Sequence, residues 1–435
     1  MTFATRRLMS SPTLRTISGV AGGNLFGMAI GLVGTLVQAR FVSPAELGYF
    51  RQFSIVTGYA FFLQLGVFES VQRLYPYYVG RGEHHRALAI AGVAQAWNVV
   101  VGVLVSSVFV FLGVWTLAQG NWKASLGWAV QAIVVVGFIY GGYLGATYRS
   151  GHEFIRLAKA SVLGSLVGVA TLPLFALWPY PALALRAGLS SLVNLAYLHV
   201  YRPLKVAWRF SWHELFALVR GGVPMFIAGY GVSTGWSAVE TTLVLKQLGT
   251  AALGSWTMAF MVLEAANKVP QAIVAVYTPK ITEEFGRTGS PHACLRICRK
   301  PVRWGAPAML LLAVVGAVGL WLVVPVLMPK YVVAIPAMCL MLLYLPVLLL
   351  EMQFVLLIAM GKVVAQNVVT YSGLSVFAAL ALAATHAGLG LNGVIGASLL
   401  GRLVRLVLIW AYLSRARDQR DGTLHRLTQP GMSSL

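Results

Sequence analysis

Charge is what this sequence has least of. Only 10% of its 435 residues are Asp, Glu, Lys or Arg, whereas soluble domains carry about 25%. The chain therefore cannot cover a water-facing surface of ordinary size. Acidic residues are scarcest, 12 against 33 Lys and Arg. Cysteine is nearly absent. Cys294 and Cys298 stand four apart in a basic stretch and Cys339 lies in an apolar one, and all three read as structural. No G-x-x-x-x-G-K-[ST] segment occurs, so the chain has no nucleotide-binding loop of its own. Any transport would draw on a gradient or on a partner. The alternating pattern of a membrane barrel is missing too.

What remains is apolar and long. The chain is 58% hydrophobic with a mean hydropathy of +0.77. Stretches of roughly 20 apolar residues, enough to cross a bilayer as a helix, recur along its whole length. Backbone polar groups in lipid must be satisfied within the segment, which selects helices. The reading is an all-α membrane protein with spans at 17–39, 50–72, 88–115, 123–147, 157–178, 182–201, 218–245, 253–277, 304–328, 332–360, 364–386 and 391–413. The first is too long for a signal-peptide core, and Gln38-Ala39-Arg40 is a poor cleavage site.

Twelve spans place both termini on one side, and Lys and Arg decide which. With an inside N-terminus, 24 of the 33 fall in cytoplasmic segments and five on the outer side, namely Arg40, Arg51, Lys123, Lys246 and Lys330. Arg186, Lys268, Arg402 and Arg405 lie within spans. This asymmetry predicts cytoplasmic termini. It also accounts for most of the +21 net charge without nucleic acid. Outer loops are short, and the longest cytoplasmic loop, about Thr278 to Arg303, is too small for a catalytic domain.

The chain carries an internal repeat. A shift of 206 places Arg40 on Lys246, Leu47-Gly48 on Leu253-Gly254 and Gly23 on Gly229. A shift of 203 places Tyr75-Pro76 on Thr278-Pro279. The predicted organisation is a segment 1–16, a six-helix bundle 17–201, a linker 202–217, a second six-helix bundle 218–413 and a basic tail 414–435, disordered or lying on anionic lipid. Each block has an even number of spans, so the halves insert with the same orientation. They are then related by a pseudo-twofold axis along the membrane normal, with a pathway between them.

Ionisable residues inside spans cost about 2.5 to 3.5 kcal/mol on insertion scales and mark candidate function. Arg40, Arg51, Arg186, Lys246, Lys268 and Arg402 are candidates for a cationic path matched to a phosphate group. The plain alternative is interface anchoring for Arg40 and Lys246, and snorkelling for Arg402 and Arg405. Glu264 and Lys268, four apart in span 8, suggest an ion pair, with Pro270 expected to kink the helix nearby. Glu69 and Arg73 suggest a surface pair. Glu240, Glu264 and Glu351 are candidates for ion coupling, although Glu240 and Glu351 could equally pair with a neighbouring Arg. In span 7, Pro224, Gly229, Gly231 and Gly235 suggest a hinge. The four-residue glycine spacing of span 1, Gly19 to Gly31, suggests close helix packing. No metal site is expected.

The segments "ARFVSPAELGYF" and "RLYPYYVGRGEHHRA", with the echo "QLGTAALGSW" from Gln247 to Trp256, resemble polysaccharide flippases of the Wzx type. These belong to the multidrug/oligosaccharidyl-lipid/polysaccharide (MOP) exporter superfamily. The resemblance implies a bacterial inner-membrane protein of two six-helix bundles. Its implied activity is translocation of an undecaprenyl-pyrophosphate-linked oligosaccharide to the periplasmic leaflet by alternating access, without a cofactor. The implied partners are that substrate, the bilayer, and polysaccharide polymerase and chain-length proteins. Two rival readings stand beside it: a MATE-like drug or cation exporter, which should favour acidic cavity residues, and a membrane-embedded polysaccharide polymerase or ligase, which should need acidic residues or a large outer loop at the catalytic face.

Overall fold

In a computed structural model, residues 30–31, 33–151, 153–288, 290–360 and 362–428 are described, and no strand occurs among them. After a helical stretch at 33–41, fifteen α-helices follow. They are α1 (Pro44–Ala60), α2 (Val67–Gly80), α3 (His84–Ala118), α4 (Trp122–Ser150), α5 (Phe154–Ala170), α6 (Pro179–Val200), α7 (Trp212–Val232) and α8 (Thr234–Ala266). Then come α9 (Lys268–Thr288), α10 (Pro291–Leu327), α11 (Ile335–Leu342), α12 (Tyr344–Leu350), α13 (Phe354–Ala359), α14 (Val363–His386) and α15 (Gly390–Thr428). Among the described residues, ten helices are long and apolar enough to cross a membrane, or eleven if the bent pair Pro44–Gln64 and Val67–Gly80 is one span. The first expected span, with Gly19, Gly23 and Gly27, lies mostly outside the described residues.

The duplication read from the sequence reappears in the order of elements. The helices beginning at His84, Trp122, Phe154 and Pro179 have counterparts beginning at Pro291, Pro329, Val363 and Gly390, each 207 to 211 residues later. α1 ends at Ala60 and α8 at Ala266, a shift of 206.

Local chemistry sets the boundaries. In "FVSPAELGYF", Ser43 caps α1. Its hydroxyl accepts the Glu46 amide at 3.3 Å, and the Glu46 carboxylate accepts the Ser43 amide at 3.3 Å. Pro44 takes the first turn, where no amide is needed. The motif is thus a helix start built to follow a sharp corner.

Several expected spans are broken. Span 50–72 is interrupted by a 3-10 turn at Phe61–Gln64 and by Leu65 and Gly66, both left-handed at φ 53° and 74°; the two segments meet at 42°. Gly66 also lies so close to Gly222 that a Cβ there would meet the Gly222 carbonyl. Span 218–245 is broken at Ser233, between α7 and α8. Gly249, at φ 83°, interrupts α8 where the turn between spans 7 and 8 was expected. The span over Pro329–Leu357 consists of short helical pieces with a 3-10 turn at Glu351–Gln353. α15 stays helical to Thr428, into the basic segment expected to be disordered or to lie on anionic lipid.

Two compact units result. One holds the described residues up to Tyr230 with Gly249–Thr257 and Val324–Val332. Its core packs Val67, Phe68, Tyr143, Leu144, Tyr148 and Leu218. The other holds Gly231–Leu248, Met258–Val323 and the residues from Val333 onward. Its core packs Ile281, Met352, Leu356, Ile409 and Leu413 with Cys294 and Cys298.

Candidate functional site

In the second unit, α14 and α15 cross at Gly373 and Gly401. A Cβ on Gly373 would stand 2.8 Å from the Gly401 carbonyl oxygen and 3.1 Å from the Arg405 Cβ. That close crossing lets α15 turn Ser398, Arg402 and Arg405, one face at spacings of four and three, into the protein. Arg405 is fully buried, at 0% exposure. It pairs with Glu351, which stands on the 3-10 break of the preceding span. Arg402 Nη1 lies 3.8 Å from the same carboxylate oxygen.

Aromatic rings complete the enclosure. Arg402 lies over Trp236 and Tyr344, at 4.9 and 5.2 Å from the ring centres, and Arg405 lies 4.5 Å over Phe354. Each such contact favours a cation in a place shielded from water. Trp236 is fixed in turn. Its Nε1 donates to the Ser398 hydroxyl at 3.0 Å, and its ring stacks on Phe377 at 5.5 Å. The Tyr344 hydroxyl donates to the Ile395 carbonyl at 2.9 Å. Glu240, one turn beyond Trp236 on α8, is 2% exposed and shares electrostatic reach of Tyr344 with Arg402. Two carboxylates and two guanidiniums, nominally neutral together, therefore occupy the interior of one unit.

The first unit holds a different centre. Arg186 on α6 borders a cavity of about 510 Å³ between α4, α5 and α6, with Gly31 on its remaining side. Its Nη1 donates to the Gly34 carbonyl at 3.0 Å and to Gln38 Oε1 at 2.7 Å.

The other sequence candidates fall elsewhere. Arg40 and Lys246 are exposed at the ends of their helical segments, as interface anchors would be. Arg51 is half-buried on α1, and its Nε has no hydrogen-bond partner. Glu264 and Lys268 do not form the expected pair. The helix ends at Ala266 and restarts at Lys268, so four-residue spacing no longer stacks them, and Lys268 faces Gln271 at 3.4 Å. Pro270 falls in the first turn of α9, where its missing amide costs little, rather than kinking a continuous helix. Glu69 accepts from Gln64 at 3.1 Å instead of pairing with Arg73. Of the hinge residues, Gly231 and Gly235 flank the break at Ser233. Pro224 and Gly229 lie inside α7. Arg405 was read as a snorkelling residue. Its three-residue spacing from Arg402 was the signal that both share one inward face.

No family model matches the chain, and no curated protein matches it. Solved structures do. An inward-facing multidrug resistance MATE family transporter of the MOP superfamily superposes with a TM-score of 0.72 at 15% identity, covering 93% of this chain and 96% of that one. An outward-facing structure of such a transporter gives 0.63 at 15% identity, covering 92% and 95%. The Vibrio cholerae MATE transporter VcmN gives 0.64 at 14% identity, covering 93% and 96%. Over nearly its whole length, the chain has the fold of MATE transporters of the MOP superfamily.

Proposed function

We propose that the chain is a gradient-driven exporter of the MOP superfamily that works in the manner of MATE transporters. The observation that carries this reading is the buried cluster of Glu240, Glu351, Arg402 and Arg405 in a chain with that fold. Four ionisable groups held away from water carry insertion costs of several kcal/mol and mark a candidate functional site. A transporter needs such groups to bind an ion or respond to one. The fold is compatible with a MATE-like drug exporter.

A second reading, a flippase for an undecaprenyl-pyrophosphate-linked oligosaccharide, is favoured by the sign of the charge. The cavity beside Arg186 contains no Asp or Glu, and a pyrophosphate requires positive charge on its route. Proteoliposomes distinguish the two. Ethidium moved under a proton or sodium gradient identifies the drug exporter. A fluorescent polyprenyl-pyrophosphate oligosaccharide moved between leaflets identifies the flippase. Protein that moves neither probe under either gradient overturns the transporter reading.

A further inference from the structure

α15 repeats α6 at a shift of 211, counted from their starts at Gly390 and Pro179. That shift places Arg402 on Ser191 and Arg405 on Asn194, so the corresponding helix of the first unit carries neither cation there. Packing of a bundle of this kind therefore does not account for the two arginines, and they differ in how they are held.

Arg405 is fixed. It is fully buried, it pairs with Glu351, and its Cβ lies against Gly373 at the crossing of α14. Arg402 is held loosely. Its contact with Glu351, at 3.8 Å, goes to the same oxygen that Arg405 already holds. Its Nε has no hydrogen-bond partner among the described residues, and its side chain keeps 12% exposure. The faces of Trp236 and Tyr344 hold it instead. A ring face attracts a cation without a donor–acceptor axis, so the guanidinium can shift across it at little cost.

That shift has a direction. Glu240 follows Trp236 by four residues on α8, which puts both on one face, about 6 Å apart along the axis. Glu240 is buried, and Tyr344 lies within electrostatic reach of both Glu240 and Arg402. The titratable groups around this face are Tyr344 on α12, Glu351 on the 3-10 turn, and Arg402 and Arg405 on α15. Arg402 thus stands between two carboxylates, one of which Arg405 already neutralises.

We propose that Arg402 is a tethered cation that competes with a proton or sodium ion for Glu240. A bare carboxylate at membrane depth is costly. Without the ion, the guanidinium leans past Trp236 and neutralises Glu240. When the ion binds, Arg402 withdraws to the Glu351 oxygen. The tether removes the cost of the bare carboxylate and weakens ion binding enough for release. The inference rests on the exporter reading only in taking that ion as the driving one.

The test uses the full chain in detergent at neutral pH with dicyclohexylcarbodiimide, which modifies a membrane carboxyl group in its protonated form. Labelling of Glu240 and Glu351 is followed by peptide mass spectrometry. Arg402→Gln removes the competitor and should speed labelling of Glu240 at least fivefold, with the rate at Glu351, still paired with Arg405, unchanged. Arg402→Lys keeps the charge and should stay within twofold of the wild type. Sodium that slows the reaction at tenfold lower concentration in Arg402→Gln supports sodium as the competing ion. Labelling indifferent to sodium in both proteins, with the fivefold difference present, supports the proton. Arg402→Met replaces Arg402→Gln if that variant does not fold. Glu240 labelled no faster in the variant than in the wild type overturns the proposal. So does equal acceleration at Glu240 and Glu351, the mark of a merely loosened fold, or sodium acting at one concentration in both proteins. Labelling as expected in a protein that moves neither ethidium nor the lipid-linked probe would count against the exporter reading alone.

Discussion

Gly48 and Gly254 hold their helices against each other by a reciprocal contact. A Cβ on Gly48 would fall on the Thr250 carbonyl, and one on Gly254 would fall on the Pro44 carbonyl. The two glycines are 206 residues apart, and so are Pro44 and Thr250. The contact is therefore its own image under the internal repeat. Each helix start, one capped by Ser43 and the other preceded by Gly249 at φ 83°, brings its first turn to the backbone of the other. No side chain separates them.

Substitution at this contact should be costly out of proportion to its size. The atoms a Cβ would meet are backbone atoms, which cannot rotate aside. Gly48→Ala and Gly254→Ala should each lose at least the 1–3 kcal/mol typical of overpacking. Gly319→Ala, in α10 with nothing within 4 Å of its Cβ, should be neutral or slightly stabilising, because Ala favours the helix by about 1 kcal/mol. Thermal unfolding in detergent ranks the three. Equal melting temperatures for Gly48→Ala and Gly319→Ala would rule out the close approach.

How far the sequence reaches can be judged from the same residues. Long apolar runs and the shift of 206 were legible because span length and repeat spacing are properties of the chain alone. So was the choice left open at Glu351, coupling or pairing with an Arg. The helix breaks were not legible. Leu65 carries no turn signal though it is left-handed itself, and the close approach of Gly66 to Gly222 joins residues far apart in the chain. The Glu264–Lys268 pair was misread for the same reason: spacing of four implies contact only while the helix continues, and it stops at Ala266. Arg405 was underrated because its burial depends on α14 crossing at Gly373.

The charged cluster of the second unit should respond asymmetrically to mutation. Glu351 faces two guanidiniums, those of Arg402 and Arg405. Glu351→Gln strands both cations and should cost about 3–5 kcal/mol, as expected when a buried ion pair loses one partner. Arg402→Gln removes the more distant partner and should cost clearly less. Melting curves of the purified variants provide the comparison. A Glu351→Gln protein as stable as the wild type would mean that the pair contributes nothing to holding α15.

Glu240 offers a separation of folding from transport. Gln is nearly isosteric, so Glu240→Gln should still be expressed and purified as a folded protein. If this carboxylate couples movement to an ion, the variant should transport at least tenfold more slowly under a gradient and lose its dependence on that gradient. The measurement is initial rate against imposed proton and sodium gradients in proteoliposomes. Unchanged rates with unchanged gradient dependence would remove Glu240 from the coupling machinery.

Orientation in the membrane follows from charge, and it can be read directly. Arg202, Lys205 and Arg209 lie in the segment between α6 and α7, and a cluster of that kind resists translocation. The turn between α3 and α4 carries no cation before Lys123. In a background with Cys294, Cys298 and Cys339 replaced by Ser, the exposed positions Gln119 and His213 report on the two faces. A membrane-impermeant maleimide applied to intact cells should label Gln119→Cys and leave His213→Cys unmodified until the membrane is opened. With the twelve spans read from the sequence, that result would place both termini in the cytoplasm. The opposite labelling pattern would invert the whole assignment.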